Sequence, residues 1–342
     1  ITHKLNEIKA VASRCSILRK GQLIEAVDVA TTSEGELALK MVGRPVERVI
    51  NRHTGRTKDH YLTRSPSDLP NLQFSNTPNS HLLKIENLTV KNSKGLFALK
   101  DLSLQIHPGE IFGLAGIDGN GQSELVDTLT GLASGTRTSG RILLNNQDIT
   151  HLSPKAIYNH QLCSIPEDRQ RRGLVLDFSL KENLVLQKIS RPPFSSKGLI
   201  SYPALTDFAK SLLDRFDIRP RDPDLPAKNF SGGNQQKIIL AREIMANPKV
   251  LIAFQPTRGL DVGAIEYIHR EFISLRNQGK SILLISYELD EILHLSDRIG
   301  VIVDGKITAT LENEDTPDLK ARVGLYMASG EKQMGSKETA LS

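Results

Sequence analysis

The sequence predicts an α/β fold built around a phosphate-binding strand, loop and helix, and three observations carry that prediction. From Leu82 to about Ser329, short apolar runs alternate with amphipathic stretches, the pattern of strands and helices laid against one another. Within this stretch Glu110-Ile111-Phe112-Gly113-Leu114-Ala115 reads as a buried strand. It runs into the glycine-rich GIDGNGQS at 116–123 and then into a helix with apolar Leu125, Val126, Leu129 and Leu132. The third observation is internal repetition: residues 1–23 align without gaps on 285–307 with six identities, Ile1/Ile285, Leu5/Leu289, Glu7/Glu291, Ile8/Ile292, Arg14/Arg298 and Gly21/Gly305.

Composition bounds the reading. A chain of 342 residues is room for about two domains, with 39% apolar and 24% charged residues, 25 Gly and 16 Pro. This is ordinary globular material and excludes a collagenous or mucin-like chain. Cys15 and Cys163 lie far apart among apolar neighbours and read as buried free thiols in a reducing compartment. The longest apolar runs, such as 282–286, fall far short of the roughly 18 residues of a membrane span. The net charge of +5 permits contact with phosphates, anionic lipid or nucleic acid, but no block of five like charges concentrates it, and taken alone it is a solvated surface.

In chain order, each copy of the repeat reads as the end of a strand, a short helix, and two strands about a turn at Lys20-Gly21 or Asp304-Gly305. The chain opens on Ile1-Thr2-His3 without an initiator Met, a charged leader or a cleavage site. Residues 1–43 therefore read as the C-terminal end of one module, N-terminally truncated, and 81–329 as nearly all of a second. Between them 44–80 carries Pro45, Pro66, Pro70 and Pro78 among Arg, Asn, Ser and His, and reads as a linker whose basic residues are solvated. Strands are expected at 83–90, 111–115, 250–254, 281–286 and 299–303. A helix is expected from Ile238 to Ala246, ended by Pro248, and the tail 330–342 is polar.

Two constellations carry chemistry. In the phosphate loop Gly116, Gly119 and Gly121 let backbone N–H groups point inward, and Ser123 opens the helix, whose N-terminus adds partial positive charge. The lysine of such loops is missing, and Gln122 holds its place with an amide that donates hydrogen bonds but neutralises no phosphate. The second constellation is NFSGGNQQK at 229–237, where Ser231, Gly232, Gly233 and Asn234 place a hydroxyl and bare N–H groups at a helix start. It is followed by VLIAFQPTRGLD at 250–261, a buried strand running into a loop.

SGGNQQK followed by QPTRGLDVGA, with a glycine loop upstream, resembles the nucleotide-binding domains of ATP-binding cassette (ABC) transporters. These are P-loop NTPases with a helical subdomain, and the chain is most similar to the tandem-domain ATPases of simple-sugar and nucleoside importers. The resemblance covers 1–43 and 82–329. It implies that Ser231 to Asn234 are the signature and Asp261 the D-loop aspartate. Where the family has the metal-organising Asp and the water-polarising Glu of Walker B, this chain has Phe254 and Gln255. Tyr287 stands at the switch-histidine position, Glu167 at that of the Q-loop Gln, and no aromatic residue takes the adenine-stacking position unless Phe97 substitutes.

The resemblance also implies head-to-tail pairing of two cassettes, so that each ATP lies between the phosphate loop of one and the signature of the other. His3, aligned on Tyr287, then becomes the switch histidine of the first cassette and serves the same site as the intact signature. ATP and Mg2+ belong at that shared site, the metal having no ligand set in this chain's own Walker motifs. The implied partners are two integral membrane permease subunits and an extracytoplasmic solute-binding protein, with the ATPase peripheral on the cytoplasmic face of the membrane. Ala253-Phe254-Gln255 before PTRGLD leans toward the nucleoside branch. The rival readings are a soluble twin-cassette ATPase acting on ribosomes or DNA, which the Pro/Ser/Asn linker opposes, and a non-catalytic nucleotide-binding scaffold.

Overall fold

The computed structural model describes residues 5–19, 21–43, 82–133, 136–314, 316 and 318–329. The chain begins with α1 (Leu5–Val11), β1 (Arg14–Arg19), β2 (Gln22–Asp28) and α2 (Glu34–Val42). It continues with β3 (Leu83–Lys91), β4 (Phe97–Ile106), β5 (Ile111–Ala115), α3 (Gln122–Leu129), β6 (Thr136–Leu144), β7 (Gln147–Asp148), α4 (Pro154–Asn159) and β8 (Leu162–Ile165). Then come α5 (Leu180–Val185), β9 (Ser195–Ser196), β10 (Leu199–Ile200), α6 (Tyr202–Leu213) and α7 (Gly232–Ile244). The last elements are β11 (Val250–Phe254), α8 (Val262–Asn277), β12 (Ser281–Ile285), α9 (Leu289–Leu295), β13 (Arg298–Val303), β14 (Lys306–Glu312) and α10 (Leu319–Ser329).

These elements divide into two units, the first Ile1–Val49, Pro166–Ile244 and Pro256–Phe272, the second Ile50–Ile165, Met245–Gln255 and Ile273–Ser342. The second holds a six-stranded sheet of order β14-β13-β5-β12-β11-β8, parallel except for β14. Every residue of β5, β11 and β12 is buried, which is why IFGLA, VLIAF and SILLI read as unbroken apolar runs rather than alternating ones. A four-stranded antiparallel sheet, β4-β3-β6-β7, shares one apolar core with this sheet and with Leu125, Val126 and Leu129 of α3. Burying each such side chain contributes about 1.5–3 kcal/mol, so the core rather than helix propensity fixes the short α3. Parallel order sets function here. The strands β5, β12 and β11 lie side by side and end at the same edge, so the residues that follow each are brought together.

The first unit contains the N-terminal segment, a helical region and the start of α8. In α2, Ser33 and Glu36 form a reciprocal capping box, and Gly43 closes the C-terminus at φ 85°. In the helical region Ser179 and Glu182 do the same for α5, and Phe194 packs edge-on to Phe208 at 5.1 Å.

The repeated sequences fold alike. The helix, strand and strand of the first copy are 7, 6 and 7 residues long, as are those of the second. Both hairpins shift register at aligned positions, between Ile17 and Leu18 and between Val301 and Ile302. The copies differ in their neighbours: β13 also pairs with β5, whereas β1 pairs only with β2 among the described residues.

Three expectations need correction. The helix expected from Ile238 to Ala246 runs from Gly232 to Ile244, because Gln235 and Gln236 are buried and continue the helix back into the signature. The helix after the phosphate loop stops at Leu129, and Leu132 is 58% exposed beyond it. Of the two free thiols, Cys163 on β8 is buried as expected but Cys15, on the two-stranded hairpin, is only partly covered. His3, the linker 44–80 and the tail 330–342 lie outside the described residues.

Candidate nucleotide site and signature

The phosphate loop leaves β5 and enters α3 through Gly121, at φ 101°, where a Cβ would lie 2.6 Å from the Ala98 carbonyl oxygen. Gly121 supplies no side-chain cap, so the first N–H groups of α3 keep their capacity for an anion. Asn120 ties the loop down: its Oδ1 accepts from Asp304 N at 2.7 Å, its backbone oxygen from Gly305 N at 3.1 Å, and its Nδ2 donates to Ile117 O at 2.9 Å.

Gln122 does not reach outward as a phosphate-binding lysine would. It is 1% exposed, folds back so that Nε2 donates to Ile117 O at 3.0 Å, and lies 2.8 Å from where a Cβ on Gly116 would stand. Its Oε1 is buried without a hydrogen-bond partner. Gln255 follows β11 at φ 50°, 7% exposed, with its backbone N–H given to Ile285 O at 2.8 Å and its Nε2 likewise buried and unpartnered. Each such amide atom left unsatisfied costs about 1–3 kcal/mol. Phe254, 4% exposed, belongs to the apolar core, and its ring meets that of Tyr287 edge-on at 6.2 Å. Tyr287 Oη donates to Asp118 Oδ1 at 2.7 Å. The structure thus brings Gln122, Phe254, Gln255 and Tyr287 onto the glycine loop's own unit, and adds Asp118, which the sequence reading passed over because only the fold makes it Tyr287's partner.

A metal-bound triphosphate fits this half-site in part. The loop's main chain and the uncapped α3 suit phosphate oxygens, and Ser123 lies beside a cavity of about 110 Å3 whose walls include Asn92, Ser93, Glu124 and Asp127. Phe97 is not among its lining residues; it is 52% exposed and carries Lys91 Nζ 4.8 Å over its ring. For a metal the side chains are poorer: Phe254 at the end of β11 offers no ligand, and no group of three His, Cys, Asp or Glu side chains able to hold a metal occurs among the described residues.

The signature belongs to the first unit. Asn234 holds its turn, donating from Nδ2 to Ser231 Oγ at 2.9 Å and accepting from Arg219 N at 2.8 Å. Ser231 is exposed at the head of the 13-residue α7. Both glycines lie close to neighbours: a Cβ on Gly232 would displace the movable Arg169 guanidinium, 2.7 Å away at Nη2, and one on Gly233 would lie 3.3 Å from Ala264 Cβ and 3.6 Å from Asp261 Oδ2. Asp261 in turn caps α8, accepting from Ala264 N at 2.9 Å. Glu167 forms an ion pair with Arg258, three residues before Asp261, and Arg169 Nη1 donates to Arg258 O at 2.9 Å. Asp168 begins the turn Arg169–Gly173, and the backbone N–H groups of Arg171 and Gln170 hold its carboxyl below the usual carboxylate range. Arg169 and Arg258 were missed in the sequence because nothing in EDR or PTRGLD shows that the two segments meet.

Parallel strands, a glycine loop at the head of α3 and a serine-glycine signature at the head of α7 define an ATP-binding cassette. Residues 99–258 match the family model described as ABC transporter. The chain is 44% identical over 330 residues to the nucleoside import ATP-binding protein NupA of Lactococcus lactis subsp. cremoris, covering 96% of this chain and 60% of that protein. It is 42% identical to the guanosine import ATP-binding protein NupO of Bacillus subtilis (95% and 59%) and 34% identical to the ribose import ATP-binding protein RbsA of Geobacillus kaustophilus (92% and 58%). The chain therefore spans about three fifths of the length of these relatives. A nucleotide-free ATP-binding cassette from an ABC transporter matches it with a TM-score of 0.60 at 24% identity, over 72% of this chain and 95% of that one. A dimeric cassette bound to ADP and Pi matches with 0.58 at 23%, over 68% and 100%. At such identity these structures speak for the fold alone.

Proposed function

We propose that the chain is the C-terminal part of a twin-cassette ATP-binding subunit of an ABC importer, coupling ATP binding and hydrolysis to uptake of a nucleoside or simple sugar. In this reading 1–43 is the end of the first cassette, 44–80 the linker and 81–329 the second cassette. The single observation that carries it is the asymmetry of the motifs: Ser231 to Asn234 and Asp261 are intact, while Gln122, Phe254, Gln255 and Tyr287 have lost charge and metal affinity. Head-to-tail pairing sends everything intact to one hybrid site, whose phosphate loop, catalytic Glu and Mg2+ ligands belong to the first cassette and whose switch histidine is His3. ATP would bind there against Ser231 and the N–H groups of α7, and positioning and electrostatics would carry phosphoryl transfer.

Other observations support the domain reading. The matched lengths and matched bulge of the two hairpins suit two copies of one module. Val42 at the end of α2 comes within 3.2 Å of a Cβ on Gly263, two residues past Asp261, which suits a D-loop facing the first cassette. The relatives at 44% and 42% identity are named for nucleoside and guanosine import and the ribose importer stands at 34%, which favours a nucleoside as the solute. No helix among the described residues is long and apolar enough to cross a membrane. Two integral permease subunits, supplied by an extracytoplasmic binding protein and contacted near Glu167, would hold the subunit on the cytoplasmic face. The test is copurification: the full-length subunit should travel with its permeases and leave the membrane when they are deleted. Salt-resistant attachment without them would overturn the reading.

A further inference from the structure

We infer that the second cassette's own nucleotide site binds a nucleoside phosphate without a divalent cation, with Asp118, the loop's own carboxylate, held by Tyr287. This rests on the cassette reading above but goes beyond it, because the fold alone would lead one to expect Mg2+ wherever its phosphate loop occurs.

Four observations converge. The main-chain part of the site remains anion-ready, with Gly119 at φ 88°, Gly121 at φ 101° and an uncapped α3 of eight residues. The side-chain part gathers no group of three metal-ligating side chains among the described residues. Phe254 turns a ring toward Tyr287, and Asp118, the carboxylate that the loop itself carries, is already engaged by Tyr287 Oη at 2.7 Å. Gln255 is more than nine-tenths buried and offers an unpartnered amide N–H donor at the position where a carboxylate would offer an acceptor. A donor there answers a phosphate oxygen directly, whereas a metal ion would require an oxygen lone pair. Finally Gln122, 1% exposed, turns its amide Nε2 back onto Ile117 O, so no side-chain cation stands in the lysine's place to draw in a metal-bound triphosphate.

Without a lysine or a metal, the site has no cation to reward a third phosphate. Tyr287 moreover spends its hydroxyl on Asp118 rather than on a γ-phosphate. The site is therefore expected to hold nucleoside diphosphate at least as well as triphosphate, and to keep its ligand while the other hybrid site turns over.

The test is equilibrium dialysis of the 342-residue chain against radiolabelled ADP and ATP, in excess Mg2+ and again in EDTA. The expected result is binding of both nucleotides in EDTA that Mg2+ leaves equal or weakens, since Mg2+ sequesters the free nucleotide. Tightening by Mg2+ of more than about threefold overturns the inference while leaving the cassette reading intact, and so does absence of binding under both conditions. Phe254→Asp supplies the missing carboxylate and should make binding Mg2+-dependent. Gln255→Glu, which keeps the buried ring, is the second variant should Phe254→Asp unfold. Mg2+-independent binding by a folded Phe254→Asp and by Gln255→Glu alike would also count against the assignment. Uptake by the intact transporter tests the cassette reading separately.

Discussion

Gly233 leaves little room for a side chain, since a Cβ there would press on Ala264 Cβ at 3.3 Å and touch the Asp261 carboxylate at 3.6 Å. Gly233→Asp would set a second carboxylate against Asp261 at the very head of α7, where charge on the incoming phosphate must also be met. We expect uptake by the intact transporter to fall by at least about a hundredfold, the size of effect typical when one aligned donor to developing charge is lost. The melting temperature should move little, because Gly233 is only partly buried, and uptake and melting measured together check both halves of the claim. At this scale the sequence speaks through residue type: where the resemblance implies a lysine, two carboxylates and a histidine, Gln122, Phe254, Gln255 and Tyr287 bring none of that charge. It was silent on partners. Nothing adjacent in sequence says that Tyr287 finds Asp118 or that Glu167 finds Arg258, because such pairs are made by strand order and not by spacing.

Elements show the same division. The central strands β5, β11 and β12 were readable because burial on both faces demands continuous apolar runs, and their bounds differ from expectation by at most one residue. The start of α7 was not, since its polar Gln235 and Gln236 are buried and interrupt the helical apolar pattern. The ion pair Glu167–Arg258 joins the segment proposed to meet the permeases to the approach to Asp261. Its Arg is 64% exposed, so its contribution to stability is at most about 1 kcal/mol. Glu167→Gln should therefore fold normally and keep basal ATPase activity in the intact transporter, while stimulation by solute-loaded binding protein falls; unchanged stimulation would remove the pair from the coupling path.

Element α8 makes a pH prediction. Burial raises the Glu271 carboxyl above its ordinary value of 4.5, against the opposing pull of Arg215 and the Tyr267 hydroxyl. A carboxyl raised on folding favours the folded state below the unfolded pKa and loses that contribution as pH rises through the folded one. Glu271→Gln should thus raise stability at neutral pH and have little effect below about pH 4.5, as denaturant midpoints at the two pH values will show.

On the scale of the whole molecule the account is one of division of labour. The chain covers about three fifths of its relatives and, in this reading, carries the signature for a site whose phosphate loop lies elsewhere. Purified alone it should release no phosphate from ATP above background, even where it binds nucleotide, and steady release that scales with its concentration would refute the assignment. The likeness of the two hairpins was legible because an ungapped repeat survives in sequence, including the turn at Gly21 and Gly305 that both share.

The central claim is that catalysis needs this chain's signature and not its own Walker residues. It is tested most directly by ATP hydrolysis in proteoliposomes of the intact transporter at saturating ATP, comparing Ser231→Ala with Gln255→Ala. Ser231→Ala should lose about 10²- to 10³-fold, roughly 2.7–4 kcal/mol, and Gln255→Ala less than about tenfold, under about 1.4 kcal/mol. A folded Gln255→Ala as inactive as Ser231→Ala would mean that the second cassette's own site is catalytic, contradicting the account.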